Sequence, residues 1–279
     1  MEKTEPQVLT DFLFFYSKLI DRHTMIQSKI DSEWYRNAFH LTDMMGSPWT
    51  HHTKKDIDFL LNVLQPNGGE RILDIACGFG RHSLELATRG FQVVGIDISD
   101  ELIKYAQEKA KEDQLKAEFI CSDLRHLSFS EEFDIVLNLY DGAIGYLENE
   151  QENEKVFELI VSALKVSGKN IMHIPNAGYA RKYFPQKTWR KADQMIELIQ
   201  NTWNPKTHIM IETIYPVIYG AVFENLRPSY ESKRIYELEE IETIFNKMNM
   251  KILRVFGELE EDSVLSDDYN YFSILSTKL

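Results

Sequence analysis

The chain has 279 residues, 43% of them apolar and 27% charged, which is ample for one core of the α/β type with an added subdomain. The formal net charge is −13 and the isoelectric point about 5.1, which argues against non-specific nucleic-acid binding and is compatible with a cationic cofactor or an amine substrate. No run approaches the roughly 20 apolar residues that cross a bilayer, and no basic–apolar–small leader opens the chain, so a soluble cytoplasmic protein with no membrane partner is expected.

Residues from about 7 to 63 read as helices. Phe12, Phe15, Tyr16, Leu19 and Ile20 recur at helical spacing, as do Ile57, Leu60, Leu61 and Leu64. Between them, Trp34, Tyr35, Phe39 and Trp49 are read as core aromatics or as part of a lid. The turn Pro66-Asn-Gly-Gly69 leads into strands and helices that alternate. Strands are expected near 71–76, 92–97, 117–121, 133–139 and 169–174, and helices near 81–89, 100–112 and 149–164. Ser99 or Asp100 can cap the second of these helices. Such alternation predicts a doubly wound parallel sheet with helices on both faces. Ligands of such sheets bind beyond the carboxyl ends of the strands.

After Pro175 the alternation stops. Met195 to Ile199 and His208 to Tyr215 flank Asn204-Pro-Lys-Thr207 and read as a hairpin, with Tyr219 to Pro228 as a candidate extension. Arg234 to Lys247 reads as a helix, and Lys251 to Phe256 and Tyr271 to Ser276 as closing strands. Three parts are expected: a helical segment at 1–65, a core formed by 66–175 and 233–279, and a β-rich insertion at 176–232 that caps the substrate pocket. Cys77 and Cys121 make no disulfide framework and are read as buried thiols near strand ends.

The richest stretch is Arg71-Ile-Leu-Asp-Ile-Ala-Cys-Gly-Phe-Gly-Arg-His-Ser83, followed one strand later by Phe91-Gln-Val-Val-Gly-Ile-Asp97. Glycines in a strand-to-helix turn let the backbone approach a ligand, and an acid at the tip of the next strand can grip a ribose diol. A dinucleotide site wants a third glycine where Ser83 stands. It also wants no acid in the first strand, where Asp74 would repel a pyrophosphate and suit a cationic ligand.

Asp74-Ile-Ala76-Cys-Gly78-Phe-Gly80 resembles the first motif of the class I S-adenosylmethionine-dependent methyltransferases, with Ala76 in place of the first glycine. The resemblance implies a seven-stranded, mostly parallel sheet with an antiparallel last strand, an N-terminal helical lid and a β-rich insertion after the fifth strand. It implies S-adenosylmethionine as cofactor, held by the turn at Asp74, Ala76, Cys77, Gly78 and Gly80. Asp97 is expected on the ribose and Ile98 on the adenine. Ser122, Asp123 and Leu124 are expected at the adenine edge, where an acid accepts from the amino group. Asn138, Leu139 and Tyr140 would line the methionine arm, and Arg81 either pairs with the cofactor carboxylate or forms a structural ion pair.

The acceptor is less legible. Asn138-Leu-Tyr140-Asp141 lacks the prolines of the base-amino methyltransferases, which speaks against a nucleic-acid substrate. Tyr140 and Tyr146 are candidates to flank the acceptor. Tyr140, His173, Tyr215 and His208 are candidate bases, none singled out by spacing. No metal is expected: Asp141 and Asn176 are two oxygens without a third acid, and His51-His52 lacks the spacing that puts two ligands on one helical face. The expectation is methylation of a small molecule, with a mild preference for an amine or amino-sugar nitrogen. The alternatives are an inactive cofactor-binding or interaction module, a protein methyltransferase and an NAD(P)-dependent oxidoreductase.

Overall fold

The structure, a computed structural model, describes residues 30–191, 195–218 and 228–279. The helical pattern of Phe12 to Ile20 and the hairpin extension at 219–227 lie outside the described residues. The described chain opens with a 3-10 turn at Trp34–Arg36, helix α1 (Leu41–Met45), a 3-10 turn at Pro48–His52 and helix α2 (Thr53–Leu64). Then β1 (Arg71–Ile75), α3 (Arg81–Thr88), β2 (Gln92–Asp97), α4 (Asp100–Glu112), β3 (Ala117–Cys121), β4 (Phe133–Asn138), α5 (Glu150–Ala163) and β5 (Leu164–Pro175) follow. Helix α6 (Ala177–Tyr183) leads to β6 (Gln186–Lys191), β7 (Met195–Asn204), β8 (Ile209–Ile218) and β9 (Ser229–Arg234). The chain closes with α7 (Leu238–Lys247), β10 (Met250–Phe256) and β11 (Tyr271–Lys278).

Two sheets result. The larger has seven strands in the order β10-β11-β5-β4-β1-β2-β3, and the smaller has four in the order β6-β7-β8-β9. In the larger sheet β11 alone is antiparallel to its neighbours, β5 and β10. The central strands are apolar on both sides because helices cover both faces. Helices α5 and α7 bring Phe157, Ile160 and Phe245 against Leu73, Ile75 and Val136. On the other face α2 and α3 bring Ile57, Leu60 and Leu86 against Ile72 and Leu137. Strand order reverses between β1 and β4, so the crevice at a topological switch point falls beside the Gly78–Gly80 turn.

Local signals explain most boundaries. Ser99 caps α4 by accepting from Leu102 N, and Asn149 caps α5 by accepting from Glu152 N at 3.0 Å. The predicted helix from Arg234 instead starts at Leu238. Residues up to Arg234 pair with β8, and Glu237 with Glu240 forms the capping box. Strand β6, Gln-Lys-Thr-Trp-Arg-Lys, was not expected. It is an edge strand with an exposed, charged surface and no apolar alternation to read. Met195 to Asn204 and Ile209 to Ile218 do form the expected hairpin, both arms longer than predicted.

Candidate active site

The Gly78–Gly80 turn is built for close approach. Ala76 has φ +54°, a left-handed conformation that glycine adopts freely, so it keeps the backbone path of the glycine it replaces. Gly80 has φ +79°, and a Cβ there would lie 2.8 Å from the Phe119 ring and 3.0 Å from Ala106. Cys77 N donates to Ile96 O, tying the turn to β2. Asp74 is buried and accepts from Ser83 Oγ at 2.6 Å; burial pushes its carboxyl up to about 6. Ser83, the residue that departs from the dinucleotide pattern, is therefore the partner of the acid that also departs from it.

Asp97 accepts from Gly78 N at 2.8 Å through Oδ2 and from Ser99 N at 2.9 Å through Oδ1. These bonds orient both oxygens and leave each one a further lone pair. Ile98 packs in a cluster with Trp34, Tyr35 and Tyr146. Ser122 N donates to Asp97 O, which joins the ends of β2 and β3.

Asp123 differs from the expected free acceptor. Oδ1 accepts from Arg125 N and Nε, both at 3.0 Å, while Oδ2 accepts from Arg125 Nη2 at 2.7 Å and Arg36 Nη2 at 2.9 Å. About four lone-pair directions of a carboxylate are thereby filled. The Arg125 bonds hold the Asp123 carboxyl far below its usual range, despite partial burial. Leu124 opens the short 3-10 turn after it and packs on the core.

At the end of β4 the backbone is strained. Tyr140, Asp141 and Ala143 have φ of +54°, +62° and +66°, with Gly142 between them at +34°. Consecutive non-glycine residues in this region cost energy and recur at functional sites. Asn138 is fully buried and donates from Nδ2 to Gly142 O at 2.6 Å, while its Oδ1 has no partner among the described residues. Leu139 is buried in the core beside it.

Tyr140 leads to a residue that the sequence reading passed over. Asp56, on α2, is buried, and its Oδ2 lies 3.0 Å from each of Arg81 Nη1, His82 Nε2 and Tyr140 Oη. Burial pushes the Asp56 carboxyl up, and the bonds from His82 and Arg81 outweigh it, leaving it below the usual value. Burial and neighbouring Arg81 draw His82 down to about 4, so it is neutral at pH 7. Burial, then Asp56, pushes the Tyr140 phenol up to about 12. Arg81 thus forms the structural ion pair named as one alternative, yet its Nη2 is buried without a partner among the described residues.

His173 is brought to the same place from β5. Its ring lies 5.0 Å from Tyr140 and stacks on Tyr271 at 4.9 Å, and neither nitrogen has a hydrogen-bond partner among the described residues. Nε2 stands 3.6 Å from Glu258 Oε2. Across the strand ends, β9 contributes Lys233, whose ammonium is 2.8 Å from Asp141 and 3.1 Å from Glu231 and sits over the Tyr146 ring. Burial opposes that charge, and Asp141, Tyr146 and Glu231 hold it well above the usual lysine value. Glu231 pairs across strands with Glu212, whose carboxyl is raised by burial and by Glu231. Asp141 and burial likewise raise the Tyr271 phenol.

Other candidates are placed elsewhere. Tyr215 is buried on β8 and, by strand alternation, faces away from the side that carries Glu212. His208 lies by the β7–β8 turn, with Nδ1 at 3.3 Å from Glu240. Asn176 spends its side chain on the α6 cap and on Ser266 O and Tyr269 O. Among the described residues no three His, Cys, Asp or Glu side chains form a metal cluster. Cys77 is half-buried, but Cys121 is exposed, contrary to expectation, because β3 is the edge strand of the larger sheet.

The segment before α2 lies over these loops. Trp49 packs on Phe79 and Tyr140, and Trp34 packs on Tyr146 and donates from Nε1 to Ser232 O at 3.1 Å. No helix among the described residues is long and apolar enough to cross a membrane.

Residues 72–168 match the family model described as "Methyltransferase domain". A putative methyltransferase of Bacillus subtilis, YqeM, is 27% identical over 194 residues, which span 68% of this chain and 77% of that protein. The glycine/sarcosine N-methyltransferase of Aphanothece halophytica is 30% identical over 122 residues, 43% of this chain and 46% of that protein. An S-adenosylmethionine-dependent methyltransferase from Clostridium acetobutylicum superposes with a TM-score of 0.66 over 94% of this chain and 97% of its own, at 18% identity. With the first-motif turn, the strand-end acid and this sheet order, these matches give residues 72–168 a methyltransferase domain and the chain the fold of the S-adenosylmethionine-dependent methyltransferases.

Proposed function

We propose that the chain methylates the nitrogen of a small amine. The observation that carries this reading is the charge around the strand ends. Asp141, Glu231 and Glu212, three carboxylates, gather around the Lys233 ammonium beside Tyr146 and Tyr271, with the Arg190 guanidinium the second cation near Glu212 and Glu231. Like charges paired directly across strands destabilise a sheet, so Glu212 opposite Glu231 calls for a cationic counterpart. One relative is named for a glycine and sarcosine N-methyltransferase activity, which agrees with an amine acceptor.

The donor site fits the cofactor on three features: the left-handed Ala76, the crowded Gly80 and the open lone pairs of Asp97. When bound, S-adenosylmethionine supplies a methyl group on a sulfonium, which passes to a nucleophile as the sulfur leaves with the bond pair as a neutral thioether. Asp97 holds the ribose hydroxyls, with Ala76, Cys77, Gly78 and Gly80 shaping the backbone beneath. Asp74 faces the cationic amino-acid arm, and Arg81, Leu139 and Tyr140 line it, with Asn138 fixing the loop. Ile98, Ser122 and Leu124 bound the adenine. Asp123 takes part only if Arg36 gives way, because its acceptor positions are occupied. The acid-rich face collects the amine, and its aromatic and strained surroundings orient it and exclude water. An amine attacks only as the free base, and His173 or a nearby carboxylate takes the proton that the nitrogen sheds.

The test is calorimetric titration with S-adenosylmethionine, S-adenosylhomocysteine and NAD(P)H, followed by mass spectrometry of amines, amino-sugars and phenols incubated with enzyme and cofactor. Binding of the first two and a single added methyl on an amine support the reading. Methyl transfer confined to phenols would reassign the acceptor as oxygen.

A further inference from the structure

We propose that Asp56 is a positioning residue for the methyl donor: it clamps Arg81 so that the free Nη2 of the guanidinium meets the carboxylate of the cofactor's methionine arm. The proposal rests on the cofactor reading above and adds the group that organises its amino-acid end.

The argument starts from an unmet need. The Arg81 side chain is 8% exposed. Its Nη1 donates to Thr53 Oγ1 at 2.9 Å and to Asp56 Oδ2 at 3.0 Å, while Nη2 is buried and has no acceptor among the described residues. Buried donors in native proteins are paired as a rule, and a guanidinium has no neutral form to retreat to. Something must accept from Nη2.

Geometry narrows that acceptor. The guanidinium carbon lies 5.0 Å from the centre of the Trp49 ring and 4.4 Å from that of Tyr140. Two rings beside the guanidinium restrict approach over its faces and favour its edge, where planar, charge-assisted bonding to a carboxylate is strongest. Arg81 is also the first residue of α3, where the helix dipole favours an anion.

Position then names the carboxylate. In the sheet, β1 lies between β2 and β4. A ligand whose ribose is on Asp97, at the end of β2, extends its other end across the β1 turn toward β4. There Arg81 and Tyr140 meet. The arm of S-adenosylmethionine carries its carboxylate at that end and its ammonium close by, and Asp74 is the acid on the β1 side.

Asp56 does more than neutralise Arg81. Its one oxygen gathers Arg81, His82 and Tyr140, so α2, α3 and the β4 loop are tied at a single point. Loss of Asp56 frees the guanidinium to turn and leaves Tyr140 without its partner. The cofactor's nucleoside contacts on Asp97 are untouched by that loss.

The test uses two ligands with the same nucleoside. S-adenosylhomocysteine has the amino-acid arm, and 5′-methylthioadenosine lacks it. The full chain is titrated as wild type, Asp56→Ala and Arg81→Ala. Both substitutions are expected to weaken S-adenosylhomocysteine by about 10-fold to 100-fold, the range of a charge-assisted hydrogen bond, and to leave 5′-methylthioadenosine within about twofold. Asp56→Asn keeps the volume and replaces the alanine variant if that does not fold; it is expected to show the same selective loss at the lower end of the range. An unchanged S-adenosylhomocysteine affinity, or equal weakening of both ligands, would overturn the role. Wild-type protein that binds neither ligand would instead show that the cofactor reading beneath it is wrong.

Discussion

Asp97 and the pair Asp74 and His82 show how much one side chain's setting decides. Asp97 is preset by Gly78 N and Ser99 N, so removing its carboxylate takes away the proposed ribose contacts without touching the core. Asp97→Ala is expected to cut S-adenosylmethionine affinity by about 100-fold, as two hydrogen bonds to a charged group are lost, with an unchanged circular dichroism spectrum. Unchanged affinity would remove Asp97 from the ribose. Asp74 and His82 act on stability with opposite signs. Asp74 titrates at about 6 in the folded chain against 3.8 for the free group, so folding keeps a proton that the unfolded chain releases. Its contribution is lost as pH rises through that window. His82 titrates at about 4 against 6.5, so the unfolded chain takes up the proton first, and stability is lost as pH falls from about 6.5 to about 4. Melting curves across this range should therefore separate Asp74→Asn and His82→Gln. Relative to wild type, the first gains as pH rises and the second gains as pH falls. Slopes of the same sign would contradict the assignment.

Among the elements, helices carry local marks that strands of the insertion lack. Helix α5 is announced by Asn149 and a buried stripe of Val156, Phe157, Ile160 and Ala163. Asn149→Ala should cost about 1 kcal/mol in urea unfolding and leave cofactor affinity unchanged, because its side chain bonds the helix's own Glu152 N rather than a residue of the site. A loss of binding would show that α5 is coupled to the site. Sequence patterns located β1 to β5 within a few residues, since each is an apolar run closed by a turn or a helix start. They missed β6 and the start of β9. Both are the edge strands of the smaller sheet, and polar edge strands have no apolar period of their own.

At the scale of the molecule, the smaller sheet is pinned to the larger through β9. Arg234 N donates to Gly145 O at 2.7 Å, and a Cβ on Gly145 would collide with the Arg234 backbone. Lys233 reaches Asp141 alongside, and Trp34 bonds the preceding Ser232. Breaking a buried ion pair on one side leaves a bare charge, so Asp141→Ala should destabilise the chain by about 3 kcal/mol, somewhat relieved by Glu231. The double variant Asp141→Leu with Lys233→Met should recover most of that loss in stability while losing amine methylation. A single variant as stable as wild type would show that the pair does not anchor the sheet.

The sequence by itself determined the alternating core, the glycine turn and the acids at the tips of β1 and β2. These depend on spacing within a few residues, where periodicity, turn geometry and strand direction act. Only the tertiary structure decided what surrounds them. Asp56 meets Arg81 from 25 residues away, Arg36 meets Asp123 from 87, and Lys233 meets Asp141 from 92. Nothing local marks such pairs, because a lone Asp, Arg or Lys reads as a solvated surface charge until packing removes the water. That desolvation draws His82 to about 4 and Asp74 to about 6, and it surrounds Lys233 with carboxylates. The place of the candidate site was therefore written along the chain, while its electrostatics arose only when α2, β4 and β9 converged on one end of the sheet.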